Sequence, residues 1–106
     1  MHFIETTIFT RRITELLSDE EYRRLQLYIA ARPEAGKVIP GSGGLRKLRW
    51  GVGQTGKRSG IRLIYYWVIQ QDTVLFLFAF RKNERSDLTP EQLRILRRII
   101  EEEYHE

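Results

Sequence analysis

Ile61-Arg62-Leu63-Ile64-Tyr65-Tyr66-Trp67-Val68-Ile69 and Thr73-Val74-Leu75-Phe76-Leu77-Phe78-Ala79-Phe80, joined by Gln70-Gln71-Asp72, are the stretch on which the fold turns. β-Branched and aromatic residues dominate both runs, and so short a link implies an antiparallel hairpin. Both faces of each strand are largely apolar. The hairpin is therefore expected to be central, with helices over at least part of each face. Arg62 breaks the pattern. A guanidinium buried without compensation is costly, so this side chain must reach water, a carboxylate or a ligand.

Working outward, Leu45 to Trp50 alternates like a third strand, with Leu45, Lys47 and Arg49 on one face and Arg46, Leu48 and Trp50 on the other. Pro40-Gly41-Ser42-Gly43-Gly44 before it is a turn cluster, and Gly51 to Gly60 after it reads as a flexible basic loop carrying Lys57 and Arg58. Towards the N-terminus, a short strand is expected over Phe3 to Thr6. A helix follows, with Phe9, Ile13, Leu16 and Leu17 at helical spacing. Ser18-Asp19-Glu20-Glu21 is a capping box that starts a second helix, whose apolar stripe is Tyr22, Leu25, Tyr28 and Ile29 and whose stop is Arg32-Pro33. At the other end Thr89-Pro90-Glu91-Gln92 caps a last helix with Leu93, Leu96, Ile99 and Ile100 on one side. The predicted order is βααβββα, an α+β fold with a mainly antiparallel sheet, an N-terminal helical pair and a C-terminal helix.

The 106 residues make one small domain, and the absence of cysteine excludes a disulfide scaffold or thiolate metal site. His2 and His105 have no ligand-spaced partners, no serine lies in a nucleophile elbow, and the glycine loops match no phosphate-binding motif. No metal and no cofactor are expected. Met1-His2-Phe3-Ile4-Glu5 is unlike a signal peptide and no apolar run is long enough to span a membrane, so the expected location is the cytoplasm, with no membrane partner.

The net charge of +4 is unevenly placed. Residues 1–34 carry 5 basic and 6 acidic side chains and residues 72–106 carry 6 and 8, while residues 35–71 carry 7 basic side chains and no acid. The middle third thus presents a strong local positive field. Lys47 and Arg49 share a strand face, Arg62 interrupts the next strand, and Arg81 and Lys82 end the last. Paired in sequence order, the strands can gather these groups into a surface suited to a polyanion. Arg62, Ile64 and Tyr66 point the same way, which makes Tyr66 a candidate to stack on a splayed base.

Gly43-Gly44-Leu45-Arg46-Lys47-Leu48-Arg49, the basic glycine loop, Gly60-Ile61-Arg62-Leu63-Ile64-Tyr65-Tyr66 and Arg81-Lys82-Asn83-Glu84-Arg85-Ser86-Asp87-Leu88-Thr89 together resemble the RelE/HigB family of bacterial toxins from type II toxin-antitoxin systems. The likeness covers nearly the whole chain. It implies a ribosome-dependent endoribonuclease that cuts mRNA in the 30S decoding site, inhibits translation and is silenced by a cognate antitoxin, with operator DNA reached only through that antitoxin. Carried over by position, Lys47 and Arg49 match the family's paired basic residues, Arg62 its strand arginine, and Lys82 its cluster after the last strand. Asn83 stands where some members have a catalytic arginine, and Thr89 where some have a tyrosine.

Cleaving RNA through its own 2′-OH requires a base, charge stabilisation at the phosphate and an acid for the leaving 5′ oxygen. Arg62 and Arg49 are expected to bind the phosphate, Lys47 or Lys82 to act as base, and Lys57 and Arg58 to grip flanking RNA or ribosomal RNA. Arg46, Tyr66, Arg81 and Asn83 complete the expected RNA contacts. A ParE-like inhibitor of DNA gyrase and a non-catalytic basic RNA-binding module remain open alternatives.

Overall fold

A computed structural model of the chain describes residues 1–51, 60–84 and 88–103. Its elements are β1 (His2–Glu5), α1 (Thr7–Leu16), α2 (Asp19–Ala31), β2 (Lys37–Val38), β3 (Arg46–Trp50), β4 (Ile61–Val68), β5 (Thr73–Arg81) and α3 (Pro90–Glu103). One five-stranded sheet runs in the order β1-β5-β4-β3-β2. The pairs β2–β3, β3–β4 and β4–β5 are antiparallel, and β1 joins β5 in parallel. The α+β expectation and the mainly antiparallel sheet match this architecture. The two-residue β2 is an addition to the predicted order, because so short a strand carries no readable alternation.

Local chemistry sets the helix starts. Thr6 caps α1 by accepting from the Phe9 amide at 3.0 Å, and its hydroxyl donates to the Leu77 carbonyl at 2.9 Å. Ser18 accepts from the Glu21 amide at 3.1 Å. Thr89 and Gln92 close the reciprocal box expected of them, with bonds of 3.1 and 2.9 Å. The turn before β3 places Gly41, Gly43 and Gly44 at φ of 72°, 77° and 104°, a region that side chains other than glycine rarely enter.

Two apolar clusters sandwich the sheet. On one face Phe9, Ile13, Leu25 and Ile29 of the helical pair pack on Leu63 and Phe76, among others. Phe76 lies between Phe3 and Phe9, with ring centroids 5.4 and 4.9 Å away. On the other face Leu93, Leu96 and Ile100 of α3 pack over residues that include Leu45, Ile64 and Leu77. Along β4 the alternation holds, but the pairing shifts from Ile64↔Phe78 to Tyr65↔Phe76, so β5 spends Leu77 as an extra residue. Gly60, just before β4, runs so close to β3 that a Cβ there would clash with the Trp50 carbonyl oxygen. Among the described residues no helix is long and apolar enough to cross a membrane.

Tyr65 ties the sheet to the segment before β2. Its buried hydroxyl donates to the Pro33 carbonyl at 2.7 Å and accepts from the Gly36 amide at 2.8 Å. Burial pushes its pKa above the ordinary 10.0. The neutral hydroxyl therefore contributes stability that is full below pH 10.0 and is lost as pH rises through the folded-state value. Tyr65→Phe leaves two backbone groups without these bonds and should cost about 1–3 kcal/mol. Urea unfolding measures the loss, and the variant should also show a shallower fall in stability at alkaline pH.

Candidate functional site

The strand register assembles the cations. Lys37 pairs with Lys47 across β2 and β3, and Arg49 pairs with Arg62 across β3 and β4. Directly paired residues share a face, as do residues two apart on one strand, so all four side chains lie on the face that α3 partly covers. Like charges placed opposite each other destabilise a sheet. Here that happens twice side by side, in the acid-free third of the chain.

Arg62 is the most constrained of the four. It sits between Arg49 on β3 and Phe80 on β5 and is only 5% exposed. Its Nη1 reaches the carbonyl of neighbouring Ile61 at 3.4 Å. Burial, and then the positive charge of Arg49, push its pKa below the usual arginine value. A bound anion would offset both effects, and the planar fork of a guanidinium is suited to two oxygens of one phosphate.

The second flank is the turn after β5. Ile61 pairs with Trp50 on one side and Arg81 on the other, so this turn leaves the sheet at the Arg49–Arg62 end. Arg81, Lys82 and Asn83 are exposed. The Lys82 amide donates to the Gly60 carbonyl at 3.5 Å, and the Glu84 amide closes the turn on the Arg81 carbonyl at 3.0 Å. The Glu84 carboxylate clamps it by accepting from the Arg81 amide at 2.9 Å and from Arg12 Nη2 at 2.6 Å. These contacts hold the Glu84 carboxyl below its ordinary pKa, the Arg81 amide most of all.

Four expected RNA contacts fare differently. Arg46 lies on the opposite face from Lys47, where its Nη1 donates to the carbonyls of Glu34 and Gly36 at 3.1 and 2.8 Å. The structure thus gives it the work of fixing the approach to β2. Tyr66 shares the face of Arg62 and Ile64 and is half-buried, with its ring against Gly44 and the cluster beneath α3. Lys57 and Arg58 lie outside the described residues. Lys37, by contrast, joins the cationic face without having been singled out. No group of three or more His, Asp or Glu side chains is placed to hold a metal ion among the described residues.

No family model matches the chain. Among solved structures, the chain superposes on the isolated E. coli RelE toxin with a TM-score of 0.59 at 16% identity, covering 92% of this chain and 97% of that one. A free E. coli RelE mutant gives 0.59 at 15% identity over 80% and 86% of the two chains. The intact E. coli RelBE toxin-antitoxin complex gives 0.56 at 17% identity over 74% and 92%. These likenesses show the fold: the chain has a RelE-like architecture.

The opposed charges can be tested from the exposed side. Arg49→Met removes the like charge opposite Arg62 and is expected to raise the unfolding free energy by up to about 1 kcal/mol in urea titrations. A loss of stability would mean that the opposed charges cost the fold nothing.

Proposed function

We propose that this protein is the toxin of a bacterial toxin-antitoxin system and acts in the cytoplasm as a ribosome-dependent mRNA endoribonuclease neutralised by a cognate antitoxin. The observation that carries the reading is the buried Arg62 opposed by Arg49. Like charges directly opposite each other on neighbouring strands are destabilising, and an anion between them offsets the cost. A pentavalent phosphate with extra negative charge is the chemistry that such a pair stabilises.

The proposed mechanism distributes roles over β3, β4 and the turn after β5. Arg62, with Arg49, takes the non-bridging oxygens of the scissile phosphate. Attack by the 2′-OH is in line with the departing 5′ oxygen, so base and acid must stand on opposite sides of the phosphorus. Lys47, on β3, and Lys82, after β5, come from the elements on either side of the strand that carries Arg62, which supports giving them these two roles. One takes the 2′-OH proton, and the other gives a proton to the 5′ oxygen as it leaves. The products are a 2′,3′-cyclic phosphate and a free 5′-OH. Asn83 and Arg81 on the same turn lie within the RNA-binding surface, and the ribosome supplies the substrate alignment that so small a chain lacks.

The resemblance in the strand and turn motifs and the RelE-like fold support the same class. Induction in cells, with primer-extension mapping of mRNA ends, tests it. Translation-dependent cuts are expected with the wild type and should fall by two or more orders of magnitude with Arg62→Ala, as when a group stabilising transition-state charge is removed. Growth arrest with intact mRNA would assign the fold to gyrase inhibition. Binding to RNA without any cut would leave a non-catalytic module.

A further inference from the structure

A cleft of about 830 Å³ opens beside the cationic face, with Lys37, Lys47 and Arg49 on one side and Tyr28 and Trp50 on the other. Its origin lies in the strand ends. β2 pairs only with Arg46 and Lys47. Gly36, which would continue that ladder opposite Leu48, is drawn instead to the Tyr65 hydroxyl and the Arg46 guanidinium. Among the described residues β3 therefore has no strand on its outer side from Leu48 to Trp50. Because Arg49 and Trp50 are consecutive, they face opposite sides of the sheet. Cations from one face and aromatic rings from the other meet round this open edge.

We propose that the RNA strand held on the cationic face continues round the edge of β3, with one of its bases stacked on Tyr28 and Trp50 in this cleft. The inference rests on the reading above and deepens it by giving the substrate a path. Tyr28 comes from the last turn of α2 and is 37% exposed, although its spacing reads as core. Its ring lies 5.6 Å from that of Trp50 with the planes 52° apart, so the two do not cover each other face to face. The volume falls in the range of about 300–1,000 Å³ typical of small-ligand sites. Lys37 and Lys47 at the rim would take flanking phosphates. No acid is among the described lining residues, which favours a polyanion over a protein strand.

Aromatic faces accept any base, so the cleft adds affinity without strong sequence preference. The test is anisotropy of a short fluorescein-labelled, 2′-O-methylated single-stranded oligoribonucleotide, which the proposed chemistry cannot cut. Tyr28→Ala is expected to weaken binding by about tenfold, and Tyr28→Phe, which keeps the ring, to bind like the wild type. Equal melting temperatures of the two variants would show that Tyr28→Ala acts on binding. Wild-type affinity in Tyr28→Ala would overturn the cleft assignment, and if Arg62→Ala still weakened binding, the phosphate face would stand without it. No binding by the wild-type protein would overturn the cleft assignment, while the nuclease reading falls only if no translation-dependent cuts appear in cells.

Discussion

Two positive charges directly opposite each other on neighbouring strands repel, and in this protein Arg49 and Arg62 are held that way with Arg62 almost wholly buried. Everything else in the sheet has to supply the stability that this arrangement withholds. The central hairpin does so by burying apolar side chains on both faces, beneath α1 and α2 on one side and α3 on the other. The clusters fix β4 in register, and slipping β3 by one residue to part the arginines would turn Leu48 and Trp50 out of the core. The repulsion is thus locked in by packing. A phosphate bound between the two guanidiniums would lessen it.

The same register explains how a chain of +4 can present a concentrated positive face. Lys37, Lys47, Arg49 and Arg62 come from three strands and share one side, while Arg46, between two of them in sequence, is turned away to hold the carbonyls of Glu34 and Gly36. Tyr65 secures the same segment from the core side. The placement of Lys37 therefore depends on an arginine and a tyrosine from the other face of the sheet. On the far flank, Glu84 and Arg12 fasten the turn that carries Lys82 and Asn83.

Much of this was legible in the sequence. The capping boxes at Ser18 and Thr89 and the alternation of Leu45 to Trp50 depend on neighbours a few residues away, and they read directly. What escaped depends on distant partners. β2 has two residues and no period, so neither the strand nor its lysine could be placed before its pairing with β3 was known. An all-apolar run such as β5 has no phase to lose, which hides the extra residue at Leu77. Tyr28 fits the apolar stripe of α2 by spacing, yet the stripe runs past the edge of the sheet and leaves the ring partly in the cleft. The role of Arg46 was equally hidden, because alternation gives a face and not a partner.

The account makes the cationic face a surface for the phosphates of single-stranded RNA, and the most direct check is how that binding responds to salt. Each phosphate neutralised on a single strand contributes about −0.7 to the slope of log Kobs against log salt concentration. Engagement of all four cations gives a slope of about −3. A titration of a non-cleavable oligoribonucleotide should return a slope near that figure, and Arg62→Ala should make it shallower. A slope near zero, or one that Arg62→Ala leaves unchanged, would contradict the account.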